Sequence, residues 1–460
     1  DSGSASAISL EDTAEKRFVP PGAVTTPTST GNEDAAYSST IIWTDQDGTD
    51  VVLTCTAGCA SWITFTDGGA SVSTATLTGT PLDAHVGANA VTIQGVSGGE
   101  TVQQSYTITI TNVNDEPTLS ADTTTPTFTE DGSNVVLYDN AAVADSESQS
   151  ADTWLAITIT ITNVVDTTEY LVIDGSDCDI TATATCVANT ATNAGAAVVT
   201  LAGTTATVVW TADAATIDNT EMQTLIDAIA YKNTDQSPTV GNTRVITITT
   251  LQDEGGTANS GDDSVTVSIV STVTLVAVDD DPTIANSDNT GSITEDSGAA
   301  NPTDTLVATD VDGDSLTWSC GGCTDGGNDQ TLTDIYGAWT LTESTGVWVY
   351  NLDDSDAQTN ALAAGAQVSE TVVATVSDGA GDTASITLTI TITGANDAPT
   401  SAAVTVANAE DTLNTYTVAN FAFSDDDTAD SISRIKITIL ESTGDLECNN
   451  ANGGSAGWVD

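Results

Sequence analysis

The chain has 460 residues and carries 66 Asp and Glu residues against 6 Lys and Arg residues, a formal net charge of −60. This length exceeds what one hydrophobic core usually serves, so several domains are expected. The acidic balance argues against binding to nucleic acid and to anionic membrane surfaces, because both require basic patches. Hydrophobic residues make up 39% of the chain and recur in alternating runs, which argues against acidic disorder.

The first 24 residues form a polar lead-in with one strand-like segment, Ala7–Leu10. No signal peptide opens the chain, so we expect a mature chain or a fragment of a longer one. No segment reaches the roughly 20 apolar residues that span a bilayer. The strand-like segment is a candidate donor strand for an incomplete β-domain in a second copy of the chain.

A segment made of an alternating strand, an acidic turn and a proline occurs three times, and we call each copy an end phrase. The copies are Thr107–Pro117, Val273–Pro282 and Thr389–Pro399, and a Glu-Asp pair follows each at a similar distance. Internal repetition of this kind indicates an array of similar units. We therefore predict repeats at 25–117, 118–282 and 283–399, and an incomplete repeat at 400–460.

Nearly every element is predicted to be a β-strand, because apolar residues and threonines alternate with period two. The clearest examples are Tyr106–Thr111, Ile157–Thr162, Val245–Thr249 and Ile386–Thr393. One helix is predicted over 218–230, where Met222, Leu225, Ile226 and Ile229 share a face. Five tryptophans are assigned to the cores rather than to sugar-binding surfaces: Trp43, Trp62, Trp318, Trp339 and Trp348. The predicted fold class is all-β.

Several motifs resemble bacterial surface repeats. The order Trp43–Gly48, Ser61–Phe65 and Ala75–Pro81 resembles the dystroglycan-type cadherin-like domain. The third repeat resembles the VCBS repeat through Asp310–Trp318, Tyr336–Leu341, Val347–Leu352, Ala361–Gly365 and Val376–Gly379. The second and fourth repeats resemble looser cadherin-like repeats. The resemblance implies tandem Ig-like β-sandwiches, calcium near the joints, a role in adhesion or surface architecture, and no enzymatic activity.

Acidic residues gather where the repeats join, and Ca²⁺ takes six to eight such oxygen ligands. We predict three joint sites and a partial set in the first repeat. The first joint comprises Asn112, Asn114, Asp115, Glu130, Asp131 and Asp145; the second comprises Asp279, Asp280, Asp281, Glu295, Asp296, Asp310, Asp312 and Asp314. The third comprises Asn396, Asp397, Glu410, Asp411, Asp425, Asp426 and Asp427, and the first repeat adds Glu33, Asp34, Asp45, Asp47 and Asp50.

The segment Asp310–Asp314 is read as extended, so its three alternate carboxylates would face one point. The alternative interpretation, without a metal, is that all these acids are solvated turn residues. An EF-hand is excluded, because position twelve from Asp310 is Gly321 and from Asp45 is Thr56.

Six of the seven cysteines form close pairs, Cys55/Cys59, Cys178/Cys186 and Cys320/Cys323, which predicts local disulfides in an oxidising, extracellular setting. The first and third pairs are expected to clip the tips of hairpins. A thioredoxin-type centre at Cys320 would need a helix N-terminus, and the following residues form turns instead. Cys448 has no neighbour of its kind, and we expect its partner beyond Asp460.

Three functional classes remain open. The first is a calcium-stiffened adhesive or matrix rod whose partners are cell-surface or matrix ligands. The second is a subunit of an extracellular filament that binds its own copies by strand exchange between the lead-in and the incomplete repeat. The third is an accessory region of a secreted hydrolase.

Overall fold

The computed structural model describes residues 19–46, 48–59, 61–69, 73–146, 153–186, 195–213, 217–285, 289–407, 409, 412, 415–428 and 430–435. Among the predicted features, Asp47, Glu410, Asp411, the candidate donor strand and Cys448 lie outside these residues. The chain divides into two compact units, Asp1–Val278 and Asp279–Asp460. The described residues form many β-strands and one short α-helix, so the all-β prediction is confirmed.

The first sandwich is formed by eight strands in two four-stranded sheets. They are β1 (Gly22–Ala23), β2 (Thr30–Asn32), β3 (Tyr37–Thr44), β4 (Val52–Ala57), β5 (Thr64–Asp67), β6 (Thr74–Gly79), β7 (Gly87–Ser97) and β8 (Glu100–Thr111). The sheet orders are β1-β3-β6-β5 and β2-β8-β7-β4. Buried and exposed residues alternate along the whole of β3, as the period-two pattern predicts. Trp43 and Trp62 are buried in the core between the sheets.

The second sandwich has thirteen strands. They are β9 (Thr118–Thr123), β10 (Thr127–Thr129), β11 (Val135–Val136), β12 (Tyr138–Ala144), β13 (Trp154–Thr162), β14 (Glu169–Ile173), β15 (Ser176–Asp179), β16 (Ala184–Cys186), β17 (Gly195–Ala202), β18 (Thr205–Ala212), β19 (Ala230–Asn233), β20 (Arg244–Asp253) and β21 (Ser264–Val276). Seven form one sheet in the order β10-β21-β20-β13-β18-β17-β16, four form β11-β19-β14-β15, and β12 pairs with β9.

The predicted helix is present as α1 (Asn219–Asp227). Asp218 caps its N-terminus by accepting a hydrogen bond from the backbone N–H of Glu221, and the Glu221 side chain accepts one from the Asp218 N–H. Met222, Leu225 and Ile226 are buried, as the helical spacing predicts.

The third sandwich comprises eleven strands, and two more follow it. They are β22 (Thr283–Ile284), β23 (Thr290–Thr294), β24 (Thr303–Thr305), β25 (Ala308–Thr309), β26 (Thr317–Cys320), β27 (Thr324–Asp325), β28 (Asp329–Thr333), β29 (Gly337–Thr342), β30 (Val347–Leu352), β31 (Gln367–Ser377), β32 (Thr383–Thr393), β33 (Thr400–Ala402) and β34 (Ala422–Ser424). The main sheets are β23-β32-β31-β26 and β24-β30-β29-β28-β27. Trp318, Trp339 and Trp348 lie in their shared core, as predicted.

The last strand of every sandwich pairs in parallel with a short strand near the beginning of the same sandwich. The pairs are β2 with β8, β10 with β21 and β23 with β32. Parallel strands run toward the same end of a sheet. A residue that follows the short strand therefore lies beside the residues that follow the last strand.

All three predicted disulfides are present. They join Cys55 to Cys59, Cys178 to Cys186 and Cys320 to Cys323, with Cα–Cα distances of 6.2, 5.4 and 5.4 Å. These separations are ordinary for disulfides. The cysteine spacing therefore predicted every pairing within the described residues.

The hairpin-tip expectation for the Cys55–Cys59 and Cys320–Cys323 disulfides is wrong. Cys55 lies on β4, and Cys59 lies in the connection from β4 to β5, which belongs to the opposite sheet. Cys320 ends β26, and Cys323 directly precedes β27, which again belongs to the opposite sheet. Neither connection joins hydrogen-bonded neighbours, because β4 pairs with β7 and β26 pairs with β31. Both disulfides therefore close crossings between the two sheets of a sandwich.

The disulfide of the second sandwich has a similar position. Cys178 on β15 belongs to the four-stranded sheet, and Cys186 on β16 belongs to the seven-stranded sheet. Both strands lie at the edges of their sheets. The bond therefore joins the two sheets at one edge of the sandwich.

Candidate metal centres

A buried glutamate follows the short parallel strand in each sandwich. Glu33, Glu130 and Glu295 are 3%, 3% and 2% exposed. Each carboxylate accepts a hydrogen bond from a backbone N–H just beyond the last strand. The bonds are Val113 N to Glu33 Oε2 (3.4 Å), Val278 N to Glu130 Oε2 (2.8 Å) and Ala395 N to Glu295 Oε1 (2.7 Å).

This placement corrects the sequence-based grouping of the glutamates. Order along the chain groups Glu130 with Asn114 and Glu295 with Asp280. The structure places Glu130 beside Val278 and Glu295 beside Ala395, at the other end of their sandwiches. The cause is the parallel pairing of the short strand with the last strand. It places each glutamate beside the residues that follow the last strand of the same sandwich. Asp131 lies nearby and accepts a hydrogen bond from Gln236 Nε2 (2.8 Å).

At the end of the first sandwich, Glu33 lies among three other acids, Asp34, Asp83 and Asp115. Burial raises the pKa of Glu33 to about 7, and repulsion from these neighbours adds to the effect, while the Val113 N–H opposes it. A carboxylate with a pKa this high is poorly stabilised as an anion. A cation at this position would relieve the repulsion.

The end phrase of the first sandwich also contacts the β20–β21 turn of the second. Asn114 Nδ2 donates to Asp253 Oδ1 (3.0 Å) and to the Asp262 carbonyl (2.8 Å), and Asp262 N donates to the Asn114 carbonyl (3.0 Å). Asp253 is 2% exposed. Asn112 and Asp115 are half-buried beside Asn114. Asp145 follows β12 and is also half-buried. The sequence-based site did not include this turn.

In the second compact unit, Asp279, Asp378 and Asp382 place carboxylate oxygens within 4.8 Å of one another. Asp378 is 7% exposed, and its Oδ1 accepts backbone hydrogen bonds from Ala380 (2.7 Å), Gly381 (3.0 Å) and Asp382 (3.3 Å). These backbone hydrogen bonds, above all the one from Gly381, lower the pKa of Asp378, so its carboxyl group stays ionised. Its Oδ2 is buried and receives no hydrogen bond.

The neighbouring Asp310, Asp312 and Asp314 do not form the predicted extended row. Asp310 Oδ1 accepts hydrogen bonds from the backbone N–H groups of Asp312 (2.9 Å) and Asp314 (3.3 Å), and Gly313 has a φ of 81°. The segment is therefore a turn closed by its own aspartate. Asp312 still meets the end phrase, because its Oδ2 accepts from Asp280 N (3.0 Å).

Around this turn the remaining carboxylates differ in burial. Asp310 Oδ2 is buried without a hydrogen-bond partner, whereas Asp281 and Asp314 are exposed. Loss of solvation, followed by repulsion from Asp378 and Asp382, raises the pKa of Asp279.

The end of the third sandwich repeats the arrangement around Glu295. Asp427 is 4% exposed, and its Oδ2 accepts from Asp397 N (2.8 Å). Asp427 Oδ1 and Glu295 Oε2 are buried without a hydrogen-bond partner. Desolvation, then repulsion from Asp296 and Asp427, raises the pKa of Asp397.

Further acids surround this cluster. Asp425 and Asp430 place carboxylate oxygens within 4.8 Å of those of Asp427. Asp354 Oδ1 accepts from Asp296 N (3.3 Å), and Asn396 Nδ2 donates to the Asp397 carbonyl (2.6 Å).

In the first sandwich, Asp45 Oδ2 accepts a hydrogen bond from Thr49 Oγ1 (2.8 Å). Its predicted partner Asp47 is outside the described residues.

The residues fit a hard cation that binds oxygen. The clusters offer carboxylate and amide oxygens, and several buried oxygens receive no donor. Buried oxygens without a hydrogen-bond donor include Glu295 Oε2, Asp378 Oδ2 and Asp427 Oδ1. Uncompensated buried carboxylates are costly unless they are paired or coordinate a metal.

Sequence reasoning missed Asp83, Asp253, Asp354, Asp378, Asp382 and Asp430. A signal for two of them exists: Asp253 and Asp378 both precede a glycine-containing turn between the last two long strands of a sandwich. Comparison of that turn between the repeats would have added them to the predicted sites.

Comparison with known proteins assigns a family to one part of the chain. Residues 279–394 match the bacterial cadherin-like domain family. The match falls on the third sandwich and shows a cadherin-like domain there, and the VCBS assignment of this repeat remains a prediction. The finer assignments of the other repeats remain predictions. No curated protein matches the chain.

Similar solved structures are tandem domains at low similarity. Human desmocollin-1 ectodomain is 13% identical with a TM-score of 0.29, covering 85% of this chain and 64% of that one. This chain therefore spans less than two thirds of that ectodomain. Mouse protocadherin-24 EC1-3 is 14% identical with a TM-score of 0.31, covering 80% of this chain and 98% of that one. A titin I-band fragment, I67-I69, is 10% identical with a TM-score of 0.24, covering 82% and 99%.

The described residues form consecutive β-sandwiches, and the third of these matches the bacterial cadherin-like domain. Among the described residues, no helix has the length and apolar character needed to cross a membrane.

Proposed function

We propose that this chain is an extracellular, non-enzymatic adhesive or structural protein whose acidic clusters bind Ca²⁺. The observation that carries the proposal is a set of carboxylate oxygens at the ends of the sandwiches. Glu295 Oε2, Asp378 Oδ2 and Asp427 Oδ1 are buried, yet none receives a hydrogen bond. Such oxygens need a cation, because burial removes water and no donor replaces it.

The chemistry of the donors favours calcium over other metals. The clusters contain carboxylates, amides and backbone carbonyls, which suit hard cations. Zinc prefers Cys and His ligands, whereas six cysteines form disulfides and the chain has one His. Ca²⁺ tolerates irregular sets of six to eight oxygens, whereas Mg²⁺ demands a near-ideal octahedron.

The residues of each cluster come from separate segments, which gives binding a mechanical consequence. Asp279 belongs to an end phrase, whereas Asp378 and Asp382 belong to the β31–β32 turn. These side chains would hold the ion together with Asp280, Asp310 and Asp312. A bound Ca²⁺ would supply positive charge that ties the end phrase to the sandwich that follows it. We therefore propose that calcium stiffens the junctions between consecutive sandwiches.

The extracellular assignment is supported by the disulfides, which persist in oxidising compartments. The bacterial cadherin-like domain supports adhesion or surface architecture as the role. The partners we propose are further copies of the chain or ligands on cell surfaces and in the matrix.

Calorimetric titration of the chelator-treated chain with CaCl₂ tests this proposal. We expect several sites with dissociation constants on the order of 10⁻⁴–10⁻³ M, as in extracellular modules. Asp378→Asn should weaken or abolish at least one site. Asp304→Asn is the matched control, because it removes the same charge from an exposed position of the same sandwich. Absence of calcium binding at millimolar concentration, or an equal effect of both substitutions, would refute the proposal.

A further inference from the structure

The seven-stranded sheet of the second sandwich has an outer face without charged side chains. Its strands, β10, β13, β16, β17, β18, β20 and β21, contain two charged residues, Arg244 and Asp253, and both are buried. Over the whole chain, 16% of the residues are charged and the net charge is −60. The outer face of this sheet is therefore an uncharged region on a strongly acidic protein, and we call it the uncharged face.

A row of threonines crosses the middle of the uncharged face. Residue pairing joins four of them on the adjacent strands β17, β18, β13 and β20, namely Thr200, Thr207, Thr160 and Thr247. They alternate along their strands with buried residues such as Ile161, so all four point away from the core. A threonine hydroxyl both donates and accepts hydrogen bonds. The row can therefore make neutral hydrogen bonds with an identical row.

Valines beside this row are exposed. Val198 on β17 is 47% exposed, and Val270, which pairs with Thr247, is 41% exposed. The four-stranded sheet of the same sandwich differs, because Lys232 and Asp177 are partly exposed there. The uncharged face thus combines apolar and hydroxyl groups, whereas the opposite sheet carries charge.

We propose that the uncharged face binds the same face of a second copy of this chain. This inference rests on the proposed structural role and names the surface through which copies meet. Two copies with a net charge of −60 repel each other, and like charges opposed across an interface weaken binding. The centres of protein interfaces are accordingly depleted of charged residues. A twofold axis through this face would oppose uncharged residues to uncharged residues.

The size of the uncharged face suits a specific interface. Seven strands spaced about 4.8 Å apart span about 30 Å, and strands of about eight residues extend about 25 Å. The face therefore covers about 750 Å² on each copy, or about 1,500 Å² in total, which lies within the range of stable protein–protein interfaces. Twisted β-sheets pack face to face with their strand directions about 30° apart, so the twist of the sheet is compatible with this contact.

Acids return at the rim of the uncharged face. Glu254 and Asp262 flank the β20–β21 turn and are exposed. Salt screens the repulsion between such groups, since the Debye length falls from about 10 Å at 0.1 M to about 3 Å at 1 M ionic strength. Association through the uncharged face should therefore strengthen as salt is added, opposite to an interface held by ion pairs.

Sedimentation velocity of the full chain in excess chelator, at increasing protein and NaCl concentrations, tests the proposal. We expect a monomer–dimer equilibrium with a dissociation constant on the order of 10⁻⁶–10⁻⁵ M at high salt. At low salt the dissociation constant should rise about tenfold. A monomer under all conditions, or tighter association at low salt, would overturn the proposal.

Val198→Asp places a carboxylate on the uncharged face and should weaken the dimer at least about tenfold. Val136→Asp is the matched control, because Val136 is 48% exposed on β11 in the other sheet of the same sandwich. It should leave the dissociation constant unchanged. Circular dichroism checks that both variants fold, and the salt series on the unmodified chain needs no variant.

Equal effects of Val198→Asp and Val136→Asp on the dimer would refute the assignment to the uncharged face. The chelator separates association from the calcium proposal. Calcium titration of Val198→Asp should match that of the unmodified chain, so failure of the dimer would leave the calcium sites to be judged on their own result.

Discussion

At the scale of single residues, the buried Arg244 shows how this chain uses one of its six cations. Arg244 is fully buried, with Nε 2.8 Å from Glu169 Oε2 and Nη2 2.7 Å from Asp166 Oδ2. It is in phase with Ile246 and Ile248 on β20, so the strand period directs its side chain into the core. The two acids and Arg244 form a charged network inside the second sandwich.

Replacing Arg244 with Met should destabilise the second sandwich by about 3–5 kcal/mol, because two buried carboxylates would lose their cation. Urea unfolding followed by circular dichroism measures the change. Lys232→Met is the comparison, since the Lys232–Asp177 pair is partly exposed and should contribute less than about 1 kcal/mol. Similar losses in both variants would show that burial of the Arg244 network is unimportant.

Glu33 predicts a pH dependence of the ion-free chain. Its pKa rises from an ordinary 4.5 to about 7 in the folded state. A raised folded-state pKa contributes stability that is fully present below pH 4.5 and is lost as the pH rises through about 7. In chelator, the first sandwich should therefore lose stability between these values. Glu33→Gln, which cannot ionise, should show a shallower dependence in urea titrations; an identical slope would contradict the assignment.

At the scale of elements, the disulfides hold the places where the chain passes between the two sheets of a sandwich. Cys178 is fully buried on β15, and Cys186 lies on β16 at the edge of the seven-stranded sheet. This bond therefore joins two sheets whose edges have no common strand. Short loops gain a modest entropic benefit from closure, so the effect is local to the second sandwich.

The double substitution Cys178→Ser, Cys186→Ser should lower the stability of the second sandwich by about 2–3 kcal/mol. Thermal unfolding of the variant, compared with that of the oxidised chain, measures the loss. Reduction of the unmodified chain should reproduce the shift, and an unchanged transition in both cases would show that the crossover needs no covalent bond.

At the scale of the whole molecule, the acidic clusters lie at the ends of the sandwiches rather than on their faces. In the proposed function, calcium restrains the segments that connect consecutive sandwiches. Without the ion, the carboxylates of Asp279, Asp378 and Asp382 repel one another at close range. The net charge of −60 strengthens this effect at low ionic strength.

Small-angle X-ray scattering of the chain in calcium and in chelator checks this consequence. We expect a larger maximum dimension and lower flexibility in millimolar Ca²⁺. The same concentration of Mg²⁺ controls for ionic strength and should have a smaller effect, because Mg²⁺ fits irregular oxygen sets poorly. Scattering curves that coincide in calcium and chelator would count against stiffening.

Local patterns in the sequence are sufficient to predict the strands, helix α1, the buried tryptophans and the three disulfides. Each depends on residues a few positions apart, so alternation, capping and cysteine spacing encode it directly. The position of Cys59 and Cys323 between sheets is not local, because it depends on which strands pair. The repeated end phrase likewise indicates where acids gather. The prediction that the segment after Asp310 is extended is wrong. The Asp310 side chain accepts a hydrogen bond from the Asp312 backbone N–H, and this local bond favours a turn over a strand.

Only the tertiary structure decided which acids meet. Glu33, Glu130 and Glu295 contact backbone groups 80, 148 and 100 residues away. Those contacts follow from parallel pairing between the short strand and the last strand. This pairing depends on the topology of the whole sandwich. Asp279 likewise meets Asp378 and Asp382, which belong to the distant β31–β32 turn. Local residue patterns specify an element, whereas the partner of a carboxylate depends on how distant strands pair to bury a common core.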